Sequence, residues 1–119
     1  MNIEYFRERL LARDKELVEE ISRFENEARE PRSPEVGDPA DRAVSSEIKD
    51  IALEERSVAA ETLNQVRAAL KRIEGGTYGC CIDCGRQIEP ARLEAVPWTP
   101  YCHRDQQRRD SFKAASTLP

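Results

Sequence analysis

Four cysteines lie within one short stretch of the chain, and their spacing is typical of a metal-binding module. Cys81 and Cys84 form a C-x-x-C pair followed by Gly85, so two thiolates can converge on one ion while the backbone turns tightly. A second half-site is expected about 15–20 residues further on, and Cys102 lies within that distance. The pattern favours a zinc site over a disulfide framework.

The position that would complete the second pair holds aspartate instead of cysteine. A carboxylate oxygen can bind zinc, so a Cys3Asp site is possible, with the ligands Cys81, Cys84, Cys102 and Asp105. Two alternatives stay open at this point. Either His103 or Cys80 completes the tetrahedron, or the site has lost zinc and its cysteines pack as small buried apolar side chains.

The residues needed for catalysis at a metal are not evident in the sequence. A catalytic zinc keeps an open coordination position beside a general base. The chain has one histidine and contains no H-E-x-x-H or H-x-E segment. A thioredoxin-like role for the C-x-x-C pair has little support, because no alternating strand and helix pattern surrounds it. We therefore expect a structural metal site and not an enzyme.

Two long segments with heptad patterns precede the cysteines. From residue 2 to about 30, a strict seven-residue step links Ile3, Leu10, Leu17 and Phe24. From about 41 to 74, a second apolar stripe runs through Val44, Ile48, Ile51, Val58, Leu63, Val66, Leu70 and Ile73. The prolines between the segments break the helix, so we expect two antiparallel helices, each about 45 Å long.

The sequence therefore predicts a mainly α fold with two parts. Residues 1–75 form a long antiparallel helical hairpin, or coiled coil, with its tip at 31–43. Residues 76–119 form a small zinc-ribbon-like cysteine module plus a C-terminal helix from about 103 to 115, in which Phe112 is a packing residue.

Composition limits the possible partners and the compartment. Charged residues make up 35% of the chain and the net charge is -4, which disfavours a stand-alone DNA binder, because such proteins neutralise phosphates with Lys and Arg. No apolar run is long enough to cross a membrane, and the first residues lack the apolar core of a signal peptide. We expect a cytoplasmic monomer with a protein partner and no sequence-specific DNA binding.

Several short motifs occur in an order that is specific when they are taken together. They are D-x-x-D-x-A at the predicted tip, G-T-Y-G, C-x-x-C-G, R-L-x-A-x-P, and Cys102 with Gln106 four residues later. The tip motif by itself is a polar turn with a capping aspartate. In this order and spacing, the motifs resemble the DksA/TraR family of transcription regulators, and the resemblance covers nearly the whole chain.

The resemblance implies a function. Members of this family bind RNA polymerase directly, insert the coiled coil into its secondary channel and modulate transcription initiation, often together with the stringent-response alarmone ppGpp. By resemblance, the tip carboxylates are Asp38 and Asp41, and Ala43 is the small residue that lets the tip fit. The positions equivalent to the family's ppGpp contacts are Gln65, Val96 and Gln106, so we do not expect ppGpp to bind through that site.

Two other functions remain as alternatives. A zinc ribbon that binds nucleic acid itself would show salt-sensitive binding to DNA or RNA alone. A thiol-based redox sensor would release its metal on oxidation and change activity as a result.

Overall fold

The protein is described by a computed structural model. It covers the backbone of residues 1–29 and 39–117, and the side chains of residues 1–28 and 46–113. Four helices are present in these ranges: α1 (Ile3–Arg29), α2 (Pro39–Gly75), α3 (Pro90–Ala95) and α4 (His103–Thr117). Within the described ranges there is no strand, only an isolated antiparallel bridge between Cys80 and Gln87. The predicted fold class, a helical hairpin followed by a cysteine module, is confirmed.

The chain forms two compact units, each held together by its own contacts. The two-helix unit is Ala12–Asn64, and the cysteine unit combines Met1–Leu11 with Gln65–Pro119. Their charges differ in sign. The two-helix unit has 15 acidic and 8 basic residues, a net charge of -7, whereas the cysteine unit has 8 acidic and 11 basic residues, a net charge of +3.

The core of the two-helix unit lies along one side of α2, where small residues allow α1 to pack closely. Leu17 is 1% exposed, and Ala52 and Ala59 are also buried. An ion pair of 2.8 Å joins Arg56 of α2 to Glu25 of α1. The alanines are seven residues apart, which is the heptad step expected for a helix that faces one partner along its length.

The sequence prediction for this stripe was wrong at three positions, the first of which is Ile48, whose side chain is 37% exposed. Ile51 is 55% exposed and Val58 is 62% exposed, so neither belongs to the buried seam. Neighbouring residues on a helix point about 100° apart, so a shift of one position moves a side chain out of the core. The bulky Ile51 and Val58 suggested a register that the smaller Ala52 and Ala59 in fact occupy.

The cysteine unit has its own apolar core, to which the start of α1 contributes Phe6 and Leu10. The Phe6 and Tyr78 rings lie 5.7 Å apart, and the Tyr78 hydroxyl donates a hydrogen bond of 2.8 Å to the Pro97 carbonyl. Arg9 donates a bond of 2.7 Å to the carbonyl of Glu94. These contacts join the start of α1 to the loop that follows α2 and to the end of α3.

Two features of the cysteine unit differ from the sequence prediction. The predicted zinc-ribbon-like module contains the short helix α3, which the sequence prediction did not include and which begins with Pro90, a residue preorganised for the first helical position. Phe112 was predicted to pack against the protein but is 75% exposed. The described part of α4 is exposed along most of its length, with Asp105 its one buried residue, and Phe112 lies in this exposed part.

Leu17→Ala should destabilise the protein by about 2–5 kcal/mol, because it leaves a cavity in a tightly packed seam. The neighbouring substitution Val18→Ala removes apolar atoms from a side chain that is already 45% exposed, and should cost less than about 0.5 kcal/mol. Urea unfolding of the two variants, followed by circular dichroism, compares the costs. Equal costs would contradict this assignment of the buried face.

Candidate metal centre

Two separate segments bring the candidate ligands together. Cys81 and Cys84 lie on a tight turn after α2, in which the Gly85 amide donates a bond of 2.9 Å to the Cys81 carbonyl. Gly85 has a φ of 74°, which a glycine adopts without strain. Cys102 directly precedes α4, and Asp105 lies in the first turn of that helix. A bond of 3.0 Å from the Ile82 amide to the Pro100 carbonyl holds the two segments together.

The four side chains form one compact group. One ligand atom from each of Cys81, Cys84, Cys102 and Asp105 lies within 4.8 Å of all the others. Asp105 Oδ2 is 3.0 Å from Cys81 Sγ and 3.4 Å from Cys102 Sγ, and Cys84 Sγ is 3.9 Å from Cys102 Sγ. Ligand atoms around a tetrahedral zinc are separated by about 3.6–3.8 Å, given the usual zinc–sulfur and zinc–oxygen lengths. The group therefore fits a zinc ion.

The protonation of the metal-free group also suits a metal site. The hydrogen bonds from Cys81 and Cys84 lower the pKa of Asp105 to about 2, so its carboxylate is ionised. The pKa of Cys84 is raised to about 12, mainly by the hydrogen bond between its side chain and Asp105. Zinc binding would replace these thiol protons with the metal. Asp105 is only 5% exposed, and a buried carboxylate needs such partners.

The two other candidates for the fourth ligand lie outside this group. Cys80 is exposed, and its backbone pairs with Gln87 in the isolated bridge. His103 is exposed, and its backbone N–H donates to Glu89 Oε2 over 3.3 Å. Among the described residues, Asp105 is thus the side chain that completes a four-ligand group with three cysteines.

The structure does not test the roles predicted for the tip residues. Asp38 lies outside the described residues. Asp41 and Ala43 lie near the start of α2, where only the backbone is described. Their roles therefore stay predictions.

Sequence reasoning did not connect one group of basic residues with the metal site. Three arginines, Arg86, Arg104 and Arg108, line a cavity together with the ligands Cys84, Cys102 and Asp105. A signal was present in the sequence, because an arginine follows two residues after Cys84 and another two residues after Cys102.

The fold and the site together define a helical-hairpin protein with a zinc-finger module. The family model described as "DnaK suppressor protein DksA, N-terminal domain" matches residues 2–73, and the one described as "Prokaryotic dksA/traR C4-type zinc finger" matches residues 76–108. The chain therefore belongs to the DksA/TraR family, as its motifs predicted. Its departure from the C4 type is Asp105, which stands where the fourth cysteine is expected.

Curated relatives include proteins named as RNA polymerase-binding transcription factors. The RNA polymerase-binding transcription factor DksA of Caulobacter vibrioides is 33% identical over 108 residues, which are 91% of this chain and 75% of that protein. The DksA of Haemophilus influenzae is 33% identical over 82% of this chain and 67% of its own length. An uncharacterized protein of Aquifex aeolicus is 38% identical over 79% of this chain, and the match spans 61% of that protein.

Solved structures show the same fold. Transcription factor DksA2 from Pseudomonas aeruginosa has a TM-score of 0.76 at 27% identity, covering 94% of this chain and 85% of that one. The solution structure of the DnaK suppressor protein from Agrobacterium tumefaciens has a TM-score of 0.60 at 33% identity, covering 91% and 94%. None of the helices in the described ranges is long and apolar enough to cross a membrane.

Proposed function

We propose that this protein is a transcription regulator that binds RNA polymerase directly and inserts the tip of its coiled coil into the secondary channel to modulate initiation. The observation that carries the proposal is family membership over almost the whole chain, together with relatives named as RNA polymerase-binding transcription factors. The proposed residues at the tip are Asp38 and Asp41, with Ala43 as the small residue beside them.

The charge distribution supports a protein partner with a positive entrance. The two-helix unit has a net charge of -7, which would be attracted to a channel lined by basic groups and repelled by nucleic acid phosphates. Aspartate side chains in an exposed turn are ionised at neutral pH. Oxygen ligands such as carboxylates are also the kind that magnesium prefers, so acidic tip residues suit a site close to a catalytic magnesium.

Direct binding to purified core RNA polymerase is the first test. We expect the full chain, labelled with a fluorophore, to bind core polymerase without DNA, with one chain per polymerase. It should not bind duplex DNA or RNA alone. Salt-sensitive binding to nucleic acid, with no binding to polymerase, would instead favour the zinc-ribbon alternative. Metal release by peroxide with a change in polymerase binding would add a redox role.

We also propose that Cys81, Cys84, Cys102 and Asp105 hold one zinc ion. Four protein ligands would leave no open coordination position, so the metal would cross-link the turn after α2 to the start of α4 and would supply no catalytic chemistry. This assignment makes the zinc structural, and it agrees with a regulator that is not an enzyme.

The fourth ligand can be assigned by three single substitutions. Asp105→Ala should weaken zinc binding by at least about a hundredfold, because it removes a ligand. Asp105→Cys should keep one equivalent of zinc, since it restores a C4 set. His103→Ala should bind zinc as the wild type does. Metal analysis after dialysis against a chelator compares the three variants. Full zinc retention by Asp105→Ala, with loss in His103→Ala, would reverse the assignment.

A further inference from the structure

The cavity beside the candidate metal centre has an unusual combination of charges. Three of the four proposed ligands line it, together with three arginines and few other residues. Arg86 follows the first cysteine pair directly after Gly85. Arg104 and Arg108 lie four residues apart on α4, so both point to the same side of that helix.

None of these three arginines has an ion-pair partner in the part of the chain that the structure describes. Nearby arginines do have polar partners. Arg109 makes two bonds of 2.8 and 2.9 Å to the carboxylate of Asp83, and Arg92 donates a bond of 3.0 Å to the Tyr101 carbonyl. The cavity arginines are therefore available to interact with the charge of the metal ligands that line the same cavity.

The charge of the zinc-loaded centre determines how the three arginines would interact with it. Three thiolates and one carboxylate around a divalent ion leave a formal charge of about -2 on a largely buried group, and burying such a charge without compensation is costly. Three arginines and the one further carboxylate that lines the cavity, Glu89, together contribute +2. The lining and the loaded centre are thus electrically balanced.

The same balance disfavours a site for an external anion. With zinc bound, a phosphate entering the cavity would meet the arginines, but it would also meet the zinc centre, with its charge of -2, and the Glu89 carboxylate. The arginines are better placed to interact with the centre itself, and Arg108 already interacts electrostatically with Asp105.

We propose that Arg86, Arg104 and Arg108 form a cationic rim that balances the negative charge of the zinc centre and slows the release of its metal. The rim rests on the zinc site proposed above. Its action is electrostatic, because the arginines touch no metal and replace no ligand. They act on the metal only through the charged ligands that surround it.

The test uses the full chain loaded with one equivalent of zinc. Zinc release is followed after mixing with 4-(2-pyridylazo)resorcinol, a chelator that changes colour when it binds free zinc. We expect Arg86→Gln, Arg104→Gln and Arg108→Gln combined in one chain to release zinc about tenfold faster than the wild type. Lys15→Gln, Arg23→Gln and Lys49→Gln combined in one chain, which remove three positive charges from the two-helix unit, are the matched control and should release zinc at the wild-type rate.

Two readouts separate an electrostatic rim from a merely structural role. The triple lysine variant, Arg86→Lys with Arg104→Lys and Arg108→Lys, keeps the charge and should restore most of the wild-type rate. The difference between wild type and the glutamine variant should shrink in about 0.5 M salt, because salt screens exposed charges.

Specific outcomes would overturn the proposal. A wild-type chain that holds no zinc would refute the metal site itself. Wild-type release rates in a zinc-loaded glutamine variant would refute the rim alone. Lysine variants that behave like the glutamine variant would show a role in shape, not in charge. Slower release on addition of inorganic pyrophosphate would assign the arginines to an external anion instead.

Discussion

Replacing Asp38 and Asp41 together by asparagine should abolish the effect of the protein on transcription initiation while leaving the fold intact. The two carboxylates are the proposed contacts at the end of the coiled coil, and loss of such charged contacts at the centre of an interface costs about thirtyfold or more in apparent affinity. Initiation by purified polymerase at several promoters, titrated with wild type and variant, measures the loss. The melting temperatures of the two proteins should agree closely, since the substitutions are nearly isosteric.

A matched pair of substitutions controls for charge. Glu19→Gln with Glu47→Gln also removes two negative charges from exposed positions of the two-helix unit. It should keep nearly full activity, because its carboxylates lie outside the predicted tip. Equal losses in the two double variants would mean that overall charge, and not the tip, carries the effect.

Cys102→Ser should remove zinc from the protein and destabilise the cysteine unit by several kcal/mol. Structural zinc sites contribute binding free energies of about 10–16 kcal/mol in small domains, and one missing thiolate forfeits much of this. Cys102 is buried, and its sulfur lies close to both Asp105 and Cys84. Metal analysis of the purified variant, together with thermal unfolding, measures the two losses.

The neighbouring cysteine offers a sharp control for that experiment. Cys80 is exposed and stands outside the four-ligand group, although it is adjacent in sequence to Cys81. Cys80→Ser should therefore keep one equivalent of zinc and the wild-type melting temperature. Loss of zinc in this variant, with retention in Asp105→Ala, would move the fourth ligand from Asp105 to Cys80.

Local patterns predicted the helices and the metal group because those features depend on residues close together in sequence. Heptad spacing located α1 and α2 to within a few residues, and C-x-x-C spacing found the three cysteines that meet Asp105. Asp105 could be proposed as a ligand because it lies three residues after Cys102, where the second cysteine of a C-x-x-C pair would stand.

Features that depend on packing were predicted less well. Whether Ile51 or Ala52 faces α1 is decided by how closely two helices approach, and alanine gives a weak signal for such a seam. Phe112 was assigned to a core because it is apolar, but α4 has no partner surface there among the described residues. The arginine rim joins a turn and a helix that lie far apart in sequence, so only the folded chain places it in one cavity.

The central claim is that the tip of the coiled coil reaches the secondary channel of RNA polymerase. Site-specific photo-crosslinking from position 41, with position 104 on α4 as a comparison, tests it most directly. With the full chain bound to core polymerase, we expect crosslinks from position 41 to map to the walls of the secondary channel near the active site, and those from position 104 to map elsewhere. Crosslinks from position 41 confined to the outer surface of polymerase would contradict the account.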